Sequence, residues 1–296
     1  MRIGILGVRS SAGARAIGQE NCPASLREVG LVERLVEEGH EVKDYGDTEV
    51  FEFAPDRRNL KSQNKNLVIR VCKLVAKKVE EIAKDGLHPL ILGGDCTVAI
   101  GSVAGIVNVF TKTGLVYFDD DTDLNTPDTT PSGIFDGMVV SHIIGKGVKE
   151  LAHMANRYPT LQEENVALFG FDPLSGLVDP PEIDFLKSSK IVQFPIDTVR
   201  KLGAESAAKQ ALLELTQKVD RIFVHFDVDF MNGKEMPAKD LIHPDGLTFH
   251  DAEMALKEFA ETERFVGMEI TEFNPKMDPN RRIASRLADL LTSVLR

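Results

Sequence analysis

The chain has 296 residues, a formal net charge of −11, and 43% hydrophobic and 27% charged residues, as in ordinary globular proteins of one large or two small domains. The acidic balance argues against nucleic acid as the main partner, and no run of 18 apolar residues predicts a membrane span. Three cysteines are too few, and odd in number, for a disulfide framework. This is typical of a reducing compartment, so we expect a cytoplasmic protein.

Apolar runs typical of strands alternate with helical patterns along the chain. The strand-like runs are 2–8, 41–45, 89–92, 114–119, 166–171, 190–195, 222–227 and 265–271. The helical patterns are 24–38, 64–84, 98–110, 137–144, 181–187, 204–218, 249–262 and 279–295. This alternation predicts a single α/β domain over residues 1–296, with a mostly parallel sheet of about eight strands and helices on both faces. A closed eight-stranded barrel is the alternative topology.

Two of the predicted strands run directly into aspartates. The first ends in Asp119 and is followed by Asp121 and Asp123, and residues spaced by two point to the same side of an extended chain. The second ends in Asp227 and Asp229 with the same spacing. Two carboxylates about 4 Å apart repel by roughly 4 kcal/mol at an effective dielectric of about 20. A shared cation explains the pattern, whereas a solvated acidic loop explains only the first group.

Six motifs at strand ends and in the following loops occur in an informative order. They are Gly93-Gly94-Asp95-Cys96, Asp119-Asp120-Asp121-Thr122-Asp123 followed by Asn125-Thr126-Pro127, Ser132-Gly133-Ile134-Phe135-Asp136-Gly137, Phe226-Asp227-Val228-Asp229, Gly246-Leu247-Thr248 and Glu272-Phe273-Asn274-Pro275. In this order and spacing the chain resembles the ureohydrolase (arginase/agmatinase) family. The resemblance implies a three-layer α/β/α fold and hydrolysis of a guanidino C–N bond in arginine, agmatine or a modified arginine. It also implies one or two Mn²⁺ ions per chain and a homotrimer or homohexamer.

The resemblance further implies roles for individual residues. The metal ligands would be Cys96, Asp119, Asp121, Asp123, Asp227 and Asp229. The amino-acid end of a substrate would be held by Asn125, Thr130 and Ser132, and its guanidinium group by Glu272. Asp136 falls where the family has a histidine that shuttles a proton, and is therefore the predicted catalytic acid. Independently of the resemblance, Asp172 follows a predicted strand and is a further candidate for substrate contact.

The chain departs from the family pattern at several positions. Cys96 and Asp121 replace the two histidine ligands, and Asp136 replaces the shuttle histidine. A thiolate is a soft ligand, whereas the remaining carboxylates suit hard ions such as Mn²⁺, Mg²⁺ or Ca²⁺. Ile134 replaces a further asparagine, which counts against recognition of an arginine α-carboxylate.

Other interpretations of the same residues stay open at this point. Cys96 fits a packing position as well as a ligand position, and Asp136 fits the N-cap of the helix predicted over 137–144. His225 lies on the same side of its strand as Asp227. The favoured interpretation is a core histidine with satisfied hydrogen bonds, or one that orients a ligand, rather than a ligand itself. Two function classes follow: a metal-dependent hydrolase, favoured by the converging carboxylates, and a metal-free family member with a binding or regulatory role, favoured by the lost histidines.

Overall fold

A sheet of eight parallel strands forms the centre of the computed structural model, which describes residues 1–296. The strands are β1 (Arg2–Gly7), β2 (Glu41–Asp47), β3 (His88–Leu92), β4 (Thr113–Phe118), β5 (Val166–Phe169), β6 (Val192–Phe194), β7 (Arg221–Asp227) and β8 (Phe265–Thr271). Their order across the sheet is β2-β1-β3-β8-β7-β4-β5-β6. Because β2 and β6 are unpaired edges, the sheet is open. The predicted α/β fold is confirmed, and the barrel alternative is wrong.

Helices cover both faces of this sheet. They are α1 (Cys22–Glu28), α2 (Leu31–Glu37), α3 (Lys65–Lys84), α4 (Val98–Val109), α5 (Val139–Ile143), α6 (Lys149–Ala152), α7 (Pro180–Leu186), α8 (Ile196–Leu202), α9 (Ala204–Thr216), α10 (Phe249–Ala260) and α11 (Arg282–Val294). One apolar core lies between the sheet and α1, α2 and α8 to α11, and a second lies between the sheet and α3 to α7. None of the helices has the length and apolar character needed to cross a membrane.

The central strands are apolar on both sides because each side faces one of these cores. In β4, Val116 and Phe118 belong to the first core, whereas Leu115 and Tyr117 belong to the second. Burial on both faces is the usual state of a parallel strand between two helical layers. It explains why the strands read as continuous apolar runs in the sequence.

Some helix predictions need correction. The helix predicted over 24–38 is two helices, because Gly30 between them adopts a left-handed φ of 83°. Of the segment predicted over 137–144, only α5 is α-helical, and Asp136–Met138 forms a tighter 3₁₀ turn. The short helices α6 and α8 were not predicted, since segments of four and seven residues show little periodicity.

Candidate metal centre

Four neighbouring strands in the middle of the sheet carry the chemically active residues at their carboxyl ends. Asp227 is the last residue of β7, and Asp119 and Glu272 directly follow β4 and β8. Cys96 lies four residues beyond the end of β3. The strand ends are level with one another, since Phe118 pairs with Phe226 and Asp227 pairs with Thr271. The carboxyl end of a parallel sheet is where α/β proteins usually bind ligands.

The turns that carry these residues have unusual backbone conformations. Gly94, before Cys96, has a φ of 99°, and a Cβ atom there would lie 2.6 Å from Cγ2 of Val98. Asp123 and Glu272 have φ values of 50° and 63° although neither is glycine. Such conformations cost on the order of 1 kcal/mol each and concentrate at functional sites.

Two groups of side chains could hold a metal ion. Ligand atoms of Cys96, Asp119, His225 and Asp227 all lie within 4.8 Å of one another, and all four residues are buried. Ligand atoms of Cys96, Asp136 and Glu272 form a second group with the same spacing. The two groups share the Cys96 thiol, so the cysteine is at the middle of the arrangement.

Hydrogen bonds hold Cys96 among the carboxylates. Its thiol donates to Oδ2 of Asp227 at 2.7 Å. Its backbone N–H donates to Oδ1 of Asp136 at 2.9 Å and to Oε1 of Glu272 at 3.2 Å. Oδ1 of Asp227 accepts the N–H of Asp229 at 2.5 Å. These contacts place the cysteine side chain inside the polar site, although its burial would also suit a packing residue.

The carboxyl groups are both buried and mutually repulsive. Burial, followed by the charge of Asp227, raises the pKa of Asp119 and of Asp229 well above the ordinary range. Burial raises the pKa of Asp120 to about 8, which the Lys239 ammonium partly opposes, and it raises the pKa of Asp121 to about 6. A divalent cation would favour the charged forms and remove the repulsion.

Several polar atoms at this site have no hydrogen-bond partner despite being buried. They are Nε2 of His225, Oδ1 of Asp229 and Oδ2 of Asp120. A buried polar atom without a partner costs about 1–3 kcal/mol. Burial also raises the pKa of the Cys96 thiol, whereas a bound metal ion stabilises a thiolate. Sulfur, nitrogen and oxygen donors with free lone pairs therefore fit a metal ion.

The predicted metal ligands all line one small cavity. Its volume is about 30 Å³, above the roughly 10–15 Å³ that a single water molecule needs. Seven aspartates line it together with Cys96, Gly137, Leu241 and Arg15. Three predicted ligands, Asp121, Asp123 and Asp229, lie outside the two compact groups. The Tyr117 hydroxyl donates to Oδ2 of Asp123. The partly exposed Asp121 and Asp136, with exposed Arg15, mark the solvent side of the cavity.

None of the predicted substrate contacts is part of this cavity lining. The Asn125 amide donates to Asp179 and Glu182, at 2.9 Å in each case. The Thr130 hydroxyl accepts from the N–H groups of Ser132 and Gly133, and so shapes its own turn. Oδ2 of Asp172 lies 3.2 Å from Nε2 of His243. Only Glu272, through its contact with the Cys96 backbone, lies directly at the centre.

Two cations near the centre were missed by reasoning from the sequence. Lys239 is fully buried in the loop between β7 and α10, where its ammonium donates to the carbonyl oxygens of Asp229 and Met231. Arg15 lines the cavity from the loop after β1. Both lie in polar loops with no motif, so nothing in the local sequence distinguishes them from surface residues.

The raised pKa values predict how metal binding affects stability at different pH. Asp120, Asp121 and Glu182 have folded-state pKa values of about 8, 6 and 7, above those of unfolded carboxyl groups. Stability from such groups is complete below the unfolded pKa and is lost as pH rises through the folded pKa. The metal-free protein should therefore lose stability from about pH 4 to pH 8.

We expect a saturating divalent ion to raise Tm by at least about 3 °C more at about pH 8 than at about pH 5. One pKa unit corresponds to about 1.4 kcal/mol, and about 1 kcal/mol moves Tm by roughly 2–4 °C in a large domain. Thermal unfolding with metal and with EDTA at both pH values measures the difference. An equal gain at both pH values would contradict the prediction.

Comparison with known proteins agrees with this architecture. A sequence model of the arginase family matches residues 1–295. The chain is 30% identical to an arginase of Staphylococcus aureus over 295 residues, which covers 98% of this chain and 95% of that protein. It is 31% identical to Arginase-1 of Homo sapiens over 297 residues, covering 99% and 91% of the two chains.

A solved structure extends the similarity to three dimensions. The crystal structure of arginase from Bacillus cereus superimposes with a TM-score of 0.90 at 29% identity, covering 100% of this chain and 98% of that chain. The resemblance drawn from the strand-end motifs is therefore confirmed. The polar centre lies in a fold shared with arginases over nearly its whole length, and the protein belongs to the arginase family.

Proposed function

We propose that this protein is a metal-dependent hydrolase that cleaves a guanidino C–N bond in a small cationic substrate such as arginine, agmatine or a modified arginine. One observation carries the proposal. In an arginase-family chain, four buried donor residues, Cys96, Asp119, His225 and Asp227, converge within 4.8 Å at the carboxyl end of the sheet. Without a cation, this clustering of carboxylates only lowers stability.

The metal and the acidic residues would divide the chemistry between them. A divalent ion held here, Mn²⁺ by analogy with the family, would lower the pKa of water and supply hydroxide near neutral pH. The surrounding carboxylates attract a guanidinium group, and Asp119, Asp120 and Asp123 are almost completely buried, so that water screens their charge weakly.

Glu272 has the position needed to orient a cationic substrate. Its Oε1 accepts the Cys96 N–H, and its Oε2 accepts the Gln19 amide at 3.1 Å. These two donors hold the carboxyl group in one direction at the edge of the centre, where a guanidinium N–H could replace or share a contact. The left-handed backbone of Glu272 turns its side chain out of the alternation of β8.

Asp136 is the group best suited to protonate a leaving amine. Burial, with the charges of Asp95 and Asp227 next in effect, raises its pKa well above the ordinary range. A carboxyl group that keeps its proton near neutral pH can act as a general acid. Asp136 is also partly exposed and lines the cavity, so it can reach a bound substrate.

Metal analysis followed by a urea assay tests the proposal. Protein purified without chelators, then incubated with Mn²⁺ or another divalent ion, should bind one or two ions per chain. It should then release urea from at least one compound in a panel of guanidino substrates. EDTA-treated protein is the control and should release none.

No bound ion at millimolar metal would contradict the proposal and support a metal-free binding or regulatory role. If the protein binds metal but releases urea from no member of the panel, the metal site is retained and the guanidino substrate class is wrong. The homotrimer or homohexamer expected for the family is part of the same proposal.

A further inference from the structure

We propose that His225 is a metal ligand, and that with Cys96, Asp119 and Asp227 it forms a mixed sulfur, nitrogen and oxygen site that prefers an ion such as Zn²⁺ or Co²⁺ over Mn²⁺. The inference deepens the proposed function, on which its catalytic meaning rests. It corrects the interpretation of His225 as a core histidine with satisfied hydrogen bonds, because one ring nitrogen has no partner.

The ring of His225 is oriented by a buried carboxylate. Nδ1 lies 2.9 Å from Oε1 of Glu269, and both side chains are fully buried. A carboxylate accepts, so Nδ1 carries the proton, and in the neutral imidazole Nε2 then keeps its lone pair. A histidine that ligates a metal usually donates its other N–H to a carboxylate in this way. With Nδ1 occupied by Glu269, Nε2 is the nitrogen free to bind an ion.

The sheet register accounts for the position of the ring. His225 pairs with Tyr117 of β4 on one side and with Glu269 of β8 on the other. The rings of Tyr117 and His225 stack with centroids 4.1 Å apart and planes 8° from parallel. Stacking on one side and a hydrogen bond on the other leave the imidazole little freedom to turn. This is the rigidity that a ligand position requires.

His225 adds an imidazole to the group of donor atoms that contains the Cys96 thiol. The thiol sulfur of Cys96 and a ring nitrogen of His225 lie within 4.8 Å of each other. His225 lies on β7, two residues before Asp227, whereas Cys96 follows β3. A thiolate, an imidazole and two carboxylates are all common ligands of Zn²⁺. The thiolate shifts the preference away from Mn²⁺.

A purely structural role leaves the pair incomplete. Nε2 of His225 is buried without a hydrogen-bond partner, and a metal ion would supply one. Oε2 of Glu269 is unpartnered too, and neither role of His225 accounts for it. Each such atom costs about 1–3 kcal/mol. A histidine kept only for packing against Tyr117 would not need Glu269, whereas a ligand does need a group that fixes its tautomer.

X-ray absorption on the zinc-loaded wild-type chain tests the ligand set directly. We expect one sulfur at about 2.3 Å, together with the scattering pattern of an imidazole bound through nitrogen at about 2.0–2.1 Å. A shell of oxygen atoms alone, or sulfur without imidazole, would overturn the proposal. The measurement needs no variant, so it stays decisive if a substitution at this buried position impairs folding.

Metal affinities of single-residue variants show which residues hold the ion. His225→Asn keeps an amide nitrogen that can donate to Glu269 but has no atom at the position of Nε2. It should weaken Zn²⁺ and Co²⁺ binding by at least about a hundredfold, and Glu269→Gln by about ten- to a hundredfold. The exposed His250→Asn is the matched control and should bind as wild type does. Unchanged affinity in His225→Asn would overturn the proposal.

The absorption spectrum of the Co²⁺-loaded protein distinguishes ligation by Cys96 from ligation by His225. The Co²⁺ form of the wild type should show thiolate-to-metal charge transfer, which His225→Asn retains at saturating Co²⁺ and Cys96→Ser loses. Sulfur and imidazole ligation without urea release would support this inference and contradict only the proposed guanidino substrate. Urea release from a site with only oxygen ligands would refute this inference alone.

Discussion

Replacing Asp227 by asparagine should abolish metal binding and turnover while making the metal-free protein more stable. Asp227 belongs to the buried group with Cys96, Asp119 and His225. It also raises the pKa of Cys96 and of Asp119 more than any other neighbouring charge does. Loss of this carboxylate should weaken divalent-metal binding by more than about a hundredfold and lower kcat/KM by at least about a thousandfold, because the water is then no longer activated.

The gain in stability distinguishes a metal centre from a structural cluster. Asparagine keeps an oxygen that accepts the Asp229 N–H, so the local turn is preserved. The substitution removes a buried charge that burial already disfavours. We expect the free energy of unfolding of the EDTA-treated variant to exceed that of the EDTA-treated wild type, because burial raises the pKa of Asp227 and so disfavours its charged form.

Metal content, urea release and denaturant unfolding measure the three effects. Asp197→Asn is the matched control, because the side chain of Asp197 is 83% exposed and lies on α8. An Asp227→Asn protein that still binds metal at wild-type affinity would exclude Asp227 as a ligand. A variant that is less stable than the metal-free wild type would show that the carboxylate has a structural role instead.

Asp136→Asn should lower kcat by about a hundred- to ten-thousandfold with little loss of metal. Such a factor is the usual contribution of a general acid, and an amide cannot deliver the proton. Asparagine can still accept the Cys96 N–H that Oδ1 of Asp136 accepts in the wild type, so the neighbouring backbone should stay in place.

The pH dependence of activity distinguishes the wild type from the Asp136→Asn variant. Because the pKa of Asp136 is raised, wild-type activity should fall at high pH as the acid loses its proton, and the variant should lack that limb. Unchanged turnover would exclude Asp136 as the acid. Parallel loss of metal and activity would instead make it a ligand in the second group, with Cys96 and Glu272.

The order of strand-end motifs was sufficient to predict the fold and the family. Apolar runs that end in Asp119 and in Asp227 indicate buried parallel strands, since a chain covered on both faces has no polar alternation. The spacing of the aspartates is visible in the sequence without any information about long-range contacts. Predicted helix boundaries were less accurate where the backbone conformation of one residue ends a helix. At Gly30, a left-handed backbone interrupts an otherwise helical apolar pattern.

The residue order alone therefore identified the sheet, the family and the acidic ends of its strands, because these depend on local periodicity and on motif spacing. Only the tertiary structure determined which side chains contact one another. It joins His225 to Tyr117 and Glu269 through the registers of three strands, and it buries Lys239 beside the centre. Adjacent strands in the sheet are distant in the sequence, with β7 between β8 and β4. The sequence alone cannot show which buried atom lacks a hydrogen-bond partner, because that depends on which strands lie side by side in the sheet.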